Sequence, residues 1–172
     1  TAGRGRHARV WSAPPGGQVA VSVVLDAGER AERLGWLSLA TGVAAASAIE
    51  SATGVRPTLK WPNDVLVDGK KVAGILAEYI PASTGSVVVV GIGINTDMTA
   101  DDLPVPTATS LLVESGDPVD VAALVAEYLS ALADTPWPTD VDEVARRYRD
   151  RCDTLGRRIK LSLPDERSVE GV

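Results

Sequence analysis

The chain has 172 residues, of which 45% are hydrophobic and 23% charged, a composition typical of a globular domain with a sizeable core. Its formal net charge is −6, which argues against a binder of duplex nucleic acid because such proteins carry an excess of positive charge. The single cysteine, Cys152, excludes a framework of intrachain disulfides and is typical of a reducing cytoplasm.

The first segment of the chain is locally basic, with three arginines and the only histidine: Gly3-Arg-Gly-Arg-His-Ala-Arg-Val-Trp11. Arginine presents a planar fork of donors to phosphate or carboxylate, and glycine lets the backbone approach a ligand closely. Trp11 could stack on a flat ring. The segment is therefore predicted to be a loop that wraps an anionic ligand with an aromatic part, such as a nucleotide. A flexible basic segment is the alternative. A Rossmann turn is rejected, because the Pro-Pro-Gly-Gly stretch that follows cannot open a helix.

Runs of β-branched residues predict strands, and Ala- or Leu-rich stretches with helical spacing predict helices. The strands are expected over 18–25, 58–61, 65–67, 71–79, 86–94 and 157–163. The helices are expected over 35–51, 107–114, 121–133 and 140–152. Asp68-Gly69 predicts a hairpin turn, Gly54 a helix stop, and Asp120 and Thr139 the caps of the last two helices. The longest apolar run, near 87–94, is too short to span a bilayer, so no membrane partner is expected. This order predicts an α+β fold, with a mixed, mostly antiparallel sheet flanked by helices.

A polar motif, Lys60-Trp-Pro-Asn-Asp64, follows the second predicted strand. A strand that ends in this way presents polar side chains at the edge of a sheet. Asp64 could ligate Mg²⁺, Asn63 could orient a ligand or a water, and Lys60 could contact phosphate. Pro-Asn-Asp is also a favourable turn sequence, so an ordinary turn is the competing interpretation.

The last two motifs lie on the predicted central strands and read Lys71-Val-Ala-Gly-Ile-Leu76 and Gly91-Ile-Gly-Ile-Asn95. Strand alternation predicts Lys71 and Ala73 on one face and Gly74 on the other. Glycines inside a hydrophobic strand suggest close approach of a ligand to the backbone, and Asn95 offers a donor and an acceptor suited to the edge of adenine. A solvated hairpin lysine, a bulge and a turn-forming asparagine are the alternatives.

Together, and in this order, the four motifs resemble those of the biotin–protein ligases, the biotin–[acetyl-CoA-carboxylase] ligase family. The likeness runs over nearly the whole chain, and the ordered set is far more specific than any one motif. The resemblance implies a catalytic fold similar to class II aminoacyl-tRNA synthetases, followed by a small SH3-like domain. It implies that residues 1–155 are the catalytic biotin- and ATP-binding domain, lacking its N-terminal part, and that residues 156–172 begin a truncated SH3-like domain.

The resemblance also implies the activity. Biotin and ATP would form biotinoyl-5′-AMP with the help of Mg²⁺, and a lysine of a biotin carboxyl carrier domain of acyl-CoA carboxylases would then accept the biotin. Nothing in the chain supports DNA binding. Two other interpretations remain open. One is a lipoate–protein ligase-like enzyme of the same fold. The other is a non-catalytic nucleotide- or nucleic-acid-binding module that uses the basic segment from Gly3 to Trp11, which we call the arginine loop.

The resemblance also assigns roles to individual residues. Catalysis is assigned to Lys71, Arg6 and Arg9. Biotin is expected to be held by Gly3, Arg4, Arg6, Lys71, Gly74, Gly91 and Gly93. ATP and the adenylate are expected to be held by Arg6, Arg9, Trp11, Lys60, Asn63, Lys71 and Asn95. Asp64 is the candidate metal ligand.

Overall fold

The computed structural model describes residues 3–5, 10–11, 13–27, 31–83, 85–163 and 167–172. The strands are β1 (Gly3–Arg4), β2 (Val10–Trp11), β3 (Gln18–Asp26), β4 (Thr58–Lys60), β5 (Asp64–Val67), β6 (Lys70–Ile80), β7 (Val87–Asn95), β8 (Ile159–Ser162) and β9 (Ser168–Gly171). The α-helices are α1 (Leu37–Thr53), α2 (Leu111–Ser115), α3 (Val121–Ala133) and α4 (Val141–Arg149), and 3-10 helices cover Ala31–Trp36 and Ala100–Asp102.

Five of the described strands form the main sheet, in the order β3-β7-β6-β5-β4, and each adjacent pair is antiparallel. Strands β1 and β2 pair with each other, as do β8 and β9. Two isolated parallel bridges, Leu59 with Cys152 and Lys71 with Ala108, tie later segments to this sheet. The predicted α+β class, with a mostly antiparallel sheet flanked by helices, is confirmed. The SH3-like and synthetase-like features stay predictions.

The sheet has one covered face, which we call the helix face, because α1 packs against it. In β7 this face carries Val88, Val90, Ile92 and Ile94, all buried. Gly42 of α1 lies so close to the sheet that a Cβ added to it would be 3.4 Å from a Leu59 methyl. Helix α1 also packs against α3 and α4, which explains why its sequence is apolar all round.

The predicted turns and caps are mostly confirmed. Asp68-Gly69 joins β5 to β6 with φ of 47° and 77°, and Gly54 ends α1 in the left-handed region. Asp120 caps α3, as expected. The cap expected at Thr139 is wrong, because Asp140 is the N-cap and its carboxylate accepts the N–H of Glu143 in the first turn of α4.

Two segments predicted to be helical instead run beside strands. The helix expected over 107–114 begins only at Leu111, and Ala108 bridges to Lys71. The helix expected over 140–152 ends at Arg149, and Cys152 bridges to Leu59. Both segments satisfy their backbone groups on the sheet, an option that helical spacing in the sequence cannot reveal.

A β-bulge changes the face on which Lys71 lies. The β5–β6 ladder pairs Val65 with Ala73 but Leu66 with Lys71, so Val72 is an extra residue. The predicted alternation, with Lys71 and Gly74 on opposite faces, is therefore wrong. A Cβ added at Gly74 would lie 3.0 Å from Lys71 Nζ, which puts both residues on the same face.

Within the described part of the chain, no helix combines the length and the apolarity needed to span a bilayer. Strands β8 and β9 form a sheet separate from the main one, and their cross-strand pairs run from Ile159–Gly171 to Ser162–Ser168. The proposed domain boundary near residue 156 stays a prediction.

Candidate active site

The face of the sheet opposite α1 carries a row of small residues, and we call it the site face. The row crosses four strands at one level: Asp64 of β5 pairs with Gly74 of β6, Gly74 with Gly93 of β7, and Gly93 with Ala20 of β3. Because two adjacent members lack a side chain, the middle of the row is a shallow floor between Asp64 and Ala20.

The two glycines of this floor are covered by Trp11 and Lys71. A Cβ added at Gly93 would lie 2.9 Å from Trp11 Nε1, and one added at Gly74 would lie 3.1 Å from Trp11 Cζ3. At Gly91, in contrast, the nearest atom would be Ser22 Oγ at 3.6 Å, an ordinary contact. Glycine is therefore needed at positions 74 and 93 because Trp11 and Lys71 of the protein itself lie against them. Their predicted contact with biotin stays a prediction.

The indole of Trp11 is fixed at both ends. Its Nε1–H donates to Oε1 of Gln18, and the Lys71 ammonium lies 5.2 Å from the ring centroid, within the range of a cation–π interaction. The sequence reasoning missed Gln18, whose only signal is a polar residue at the start of an apolar strand. The predicted stacking of Trp11 on adenine stays a prediction, and the ring here rests on the floor of the site.

Lys71 pairs with Asp64 across β6 and β5. Its Nζ lies 2.5 Å from Oδ1 of Asp64, and the two side chains are 33% and 24% exposed. A charge-assisted hydrogen bond of this kind fixes the direction of the ammonium group, although partial exposure limits its contribution to stability. The pair holds the Lys71 ammonium over Gly74.

The backbone of Lys71 is held on its other side by residues 107–109. The Lys71 N–H donates to the Thr107 carbonyl at 2.8 Å, and the Thr109 N–H donates to the Lys71 carbonyl at 2.9 Å. Asn95 Nδ2 in turn donates to the Thr109 carbonyl at 2.8 Å. The sequence reasoning missed this segment because it was predicted to be helical. The predicted contact of Asn95 with adenine stays a prediction.

The motifs and their order match one protein family. The model for the biotin/lipoate A/B protein ligase family matches residues 1–95. The chain belongs to this family. It is 39% identical to the biotin–[acetyl-CoA-carboxylase] ligase of Mycobacterium tuberculosis, over 100% of this chain and 65% of that protein. It is also 39% identical to the bifunctional ligase/repressor BirA of Bacillus subtilis, over 75% of this chain and 41% of that protein. The chain therefore spans less than two thirds of these relatives.

Solved structures of the ligase family share the fold. The biotin protein ligase from Aquifex aeolicus in complex with biotin and ATP superposes with a TM-score of 0.84 at 29% identity, covering 98% of this chain and 71% of that one. The Leishmania major ligase in complex with biotin gives a TM-score of 0.71 at 22% identity, covering 100% of this chain and 84% of that one, a likeness of fold alone.

The family motif Lys60-Trp-Pro-Asn-Asp64 is both a turn and part of the site. Asn63 is bound to β6 twice, since its Nδ2 donates to the Ile75 carbonyl at 2.7 Å and its carbonyl accepts the Ile75 N–H at 3.0 Å. This anchoring brings Asp64 to Lys71. Lys60 is exposed on the rim. The predicted contacts of Lys60 and Asn63 with ATP stay predictions.

The arginine loop, the first motif of the family, is described only at its base. Gly3 pairs with Trp11, and Arg4 pairs with Val10, in a short antiparallel ladder. Arg6 and Arg9 lie outside the described residues, and so does His7. The contacts that we predict for Gly3, Arg4, Arg6 and Arg9 therefore stay predictions.

The donor set at Asp64 does not fit a resident metal ion. Among the described residues, no three His, Cys, Asp or Glu side chains lie close enough together to hold one. The carboxylate of Asp64 already faces the Lys71 ammonium, which competes with any cation. The role of Asp64 as a metal ligand stays a prediction, and the ion pair favours a role in positioning Lys71.

An apolar groove of about 410 Å³ lies next to the Asp64 turn, between α4 and β8. It is lined in part by Trp36, Leu39, Trp61, Tyr148 and Leu161. Burial, with smaller contributions from Cys152 and Asp64, raises the pKa of the Tyr148 hydroxyl. An apolar lining is unsuited to phosphate, so the groove is not the candidate nucleotide site.

Proposed function

We propose that this protein is an ATP-dependent biotin–protein ligase, which makes biotinoyl-5′-AMP and transfers biotin to a lysine of a biotin carboxyl carrier domain. The observation that carries the proposal is the Lys71 ammonium, held by Asp64 above the Gly74–Gly93 floor in a chain of the biotin/lipoate ligase family. The high identity to biotin–[acetyl-CoA-carboxylase] ligase favours biotin over lipoate as the substrate.

In the first half-reaction, a carboxylate oxygen of biotin attacks the α-phosphorus of ATP. A new O–P bond forms, the bond from the α-phosphorus to the bridging oxygen breaks, and pyrophosphate leaves with that electron pair. Two anions must approach each other, so a fixed cation at the reacting oxygens lowers the barrier. Lys71 supplies this charge, and its contacts with Asp64 and Trp11 fix it in place without rearrangement during the reaction.

In the second half-reaction, the amine of the carrier lysine attacks the acyl carbon of the adenylate. An amide bond forms, the bond from acyl carbon to phosphate oxygen breaks, the nitrogen loses its extra proton to solvent water, and AMP leaves as an anion. The Lys71 charge then stabilises the leaving phosphate. Mg²⁺ belongs to the proposal as an ion that accompanies the phosphates of ATP.

The remaining parts of the proposal concern the whole protein. Residues 1–155 form the catalytic domain, and the β8–β9 hairpin, which pairs only within itself among the described strands, begins a second, SH3-like domain. The acceptor is the carrier domain of an acyl-CoA carboxylase, and the compartment is the cytoplasm, which suits the lone thiol of Cys152.

Mass spectrometry of a carrier domain incubated with the full-length protein, ATP and biotin tests the proposal. We expect one biotinoyl group on one lysine, together with pyrophosphate release that requires biotin. A parallel reaction with lipoate distinguishes the lipoate ligase alternative, since lipoylation without biotinylation would refute our choice of substrate. Absence of pyrophosphate release with either acid would indicate a non-catalytic nucleotide-binding module.

Asp64→Asn tests the proposed role of the ion pair. The amide keeps the shape of the side chain but removes its charge, so Lys71 loses its anchor and adenylation should slow about tenfold, as for coupled neighbours. The Mg²⁺ concentration that gives half-maximal rate should stay the same. A large rise in that concentration would instead identify Asp64 as a metal ligand.

A further inference from the structure

The apolar groove between α4 and β8 has no part in the reaction proposed above. Its volume is about 410 Å³, at the lower end of the range for small-molecule pockets. Its walls come from three parts of the chain: Trp36 and Leu39 at the start of α1, Trp61 after β4, and Leu161 of β8. None of the residues that line it belongs to the glycine floor, so the groove is a second concave surface of the molecule.

The groove is left open by the way in which the chain leaves α4. The Leu59 N–H donates to the Arg151 carbonyl at 2.8 Å, and the Asp153 N–H donates to the Leu59 carbonyl at 2.8 Å. Residues 151–153 therefore extend the sheet at its β4 edge before the chain turns toward β8. Beside this extension Trp61 is 48% exposed and Leu155 is 59% exposed. Apolar surface clustered in this way is typical of a binding site.

Arg149, the last residue of α4, is the one charged residue among those that line the groove in the described part of the chain. The other arginines between positions 146 and 158 each lie within 4 Å of a carboxylate oxygen: Arg146, Arg147, Arg151, Arg157 and Arg158. The side chain of Arg149 forms no ion pair or hydrogen bond with the described residues. A free guanidinium group therefore stands beside an apolar surface.

We propose that this groove binds the anion of a medium-chain fatty acid. The aliphatic chain lies against Trp36, Trp61 and Leu161, and the carboxylate binds Arg149. The apolar walls match the chain, and the fork of donors on a guanidinium group matches a carboxylate. The volume admits one aliphatic chain of this length, which excludes a lipid with two. This binding site is independent of the proposed ligase function.

Calorimetric titration of the full-length protein with decanoate, kept below the concentration at which it forms micelles, tests the proposal. We expect one decanoate per chain, bound about tenfold more tightly than decanol, because only the carboxylate forms a charge-assisted hydrogen bond with Arg149. Equal affinities for the acid and the alcohol would overturn the proposal. Absence of binding would also overturn it, and is the result expected if another part of the full-length chain, or a second copy, covers the groove.

Arg149→Gln tests the position of the carboxylate. The variant should bind decanoate about tenfold less tightly and should bind decanol as the wild-type protein does. Arg146→Gln is the matched control, because Arg146 lies on the same helix but pairs with Glu143 and does not line the groove. It should leave the affinity for decanoate unchanged. Equal losses in the two variants would mean that overall charge alone attracts the ligand, against the proposal.

Leu155→Ser tests the position of the aliphatic chain. Leu155 lines the groove and is mostly exposed, so its removal should weaken the binding of decanoate and of decanol several-fold while the protein stays folded. Leu129→Ser is the control, because Leu129 is 43% exposed on α3 and lies outside the groove. Unchanged binding by Leu155→Ser would place the chain elsewhere and overturn the proposal.

Cys152 reports where decanoate binds, because it lines the groove and is the only cysteine of the sequence. Decanoate should slow the alkylation of Cys152 by a maleimide several-fold, as measured by mass spectrometry of the peptide that contains it. Biotin, expected on the glycine floor, should not slow it. Unchanged alkylation with decanoate, or decanoate binding that saturating biotin abolishes, would place the ligand outside the groove and overturn the proposal. Loss of the proposed ligase activity would leave all of these expected results unchanged.

Discussion

The two faces of strands β6 and β7 carry side chains of very different size. On the helix face, Ile75, Val90, Ile92 and Ile94 are at most 2% exposed and pack beneath α1. On the site face, the same strands carry glycines where large side chains would otherwise stand. Burial of branched side chains stabilises the fold on one face, whereas their absence on the other leaves room for Trp11 and Lys71.

This contrast shows that a glycine of the site face is needed only where a side chain of the protein packs against it. A Cβ at Gly93 would lie 2.9 Å from Trp11 and one at Gly74 3.0 Å from Lys71, so these side chains would have to shift, whereas Gly91 in the next row has ordinary clearance. The three glycines look equivalent in the sequence, yet only two of them are required by a side chain of the protein.

The largest effect is expected on the site face. Lys71→Ala should slow adenylation by about 10²–10³, since a charge positioned at the reacting oxygens contributes about 2.7–4 kcal/mol to transition-state stabilisation. Thermal stability should change little, because the Lys71 side chain is partly exposed. Biotin-dependent pyrophosphate release measures the rate, and Lys70→Ala, on the exposed hairpin, is the control with near-normal activity. A folded Lys71→Ala protein with normal turnover would contradict the assignment.

A core substitution should have the opposite effect, lowering stability while leaving turnover nearly unchanged. Ile92→Ala removes a buried side chain from the helix face and should lower the free energy of unfolding by about 2–5 kcal/mol. Turnover per folded molecule, measured well below the melting temperature, should stay within about twofold, because the site face keeps its groups.

Val89→Ala is the matched control on the same strand, since Val89 lies on the opposite face and is only half-buried. It should cost clearly less stability than Ile92→Ala. Equal losses would mean that the two faces do not differ as described.

A methyl group added at Gly93 or at Gly91 should show that the two glycines are not equivalent. In Gly93→Ala, the new carbon would lie 2.9 Å from Trp11 Nε1, so the indole must move and lose its hydrogen bond to Gln18. The NMR resonance of the Trp11 indole N–H should shift strongly. In Gly91→Ala, where the nearest atom is 3.6 Å away, it should stay in place. Equal shifts in both variants would contradict the special role of Gly93.

The smallest effect concerns the outer surface of α4, away from both faces of the sheet. Hydrogen bonds from Arg146 and then Arg147 lower the pKa of Glu143 to about 2 from its ordinary value near 4.5. A lowered pKa in the folded state contributes stability that is complete above about pH 4.5 and is lost as the pH falls toward 2. Glu143→Gln should therefore be less stable than wild type at pH 6, with the difference vanishing near pH 2 in urea titrations. A constant difference would contradict the assigned pairing.

Local sequence determined most of the elements. Asp120 and the spacing behind it predict α3 over 121–133, which is its extent in the structure. Asp68-Gly69 predicts the hairpin turn, and the β-branched runs predict β3 and β7 to within one residue at their ends. These signals are local: a cap, a turn and a side-chain period each involve residues a few positions apart, so neighbours in the chain carry the information.

The tertiary structure alone decided how the site is assembled. The bulge at Val72 places Lys71 beside Gly74, against the alternation that the sequence predicts. The segment 107–109 runs along Lys71 although its spacing resembles that of a helix. Both outcomes depend on the register between strands and on backbone groups that must find partners across the sheet. The Lys71–Ala108 bridge joins residues 37 positions apart, and the bulge breaks the side-chain period inside a hairpin, so no local period in the sequence encodes either outcome.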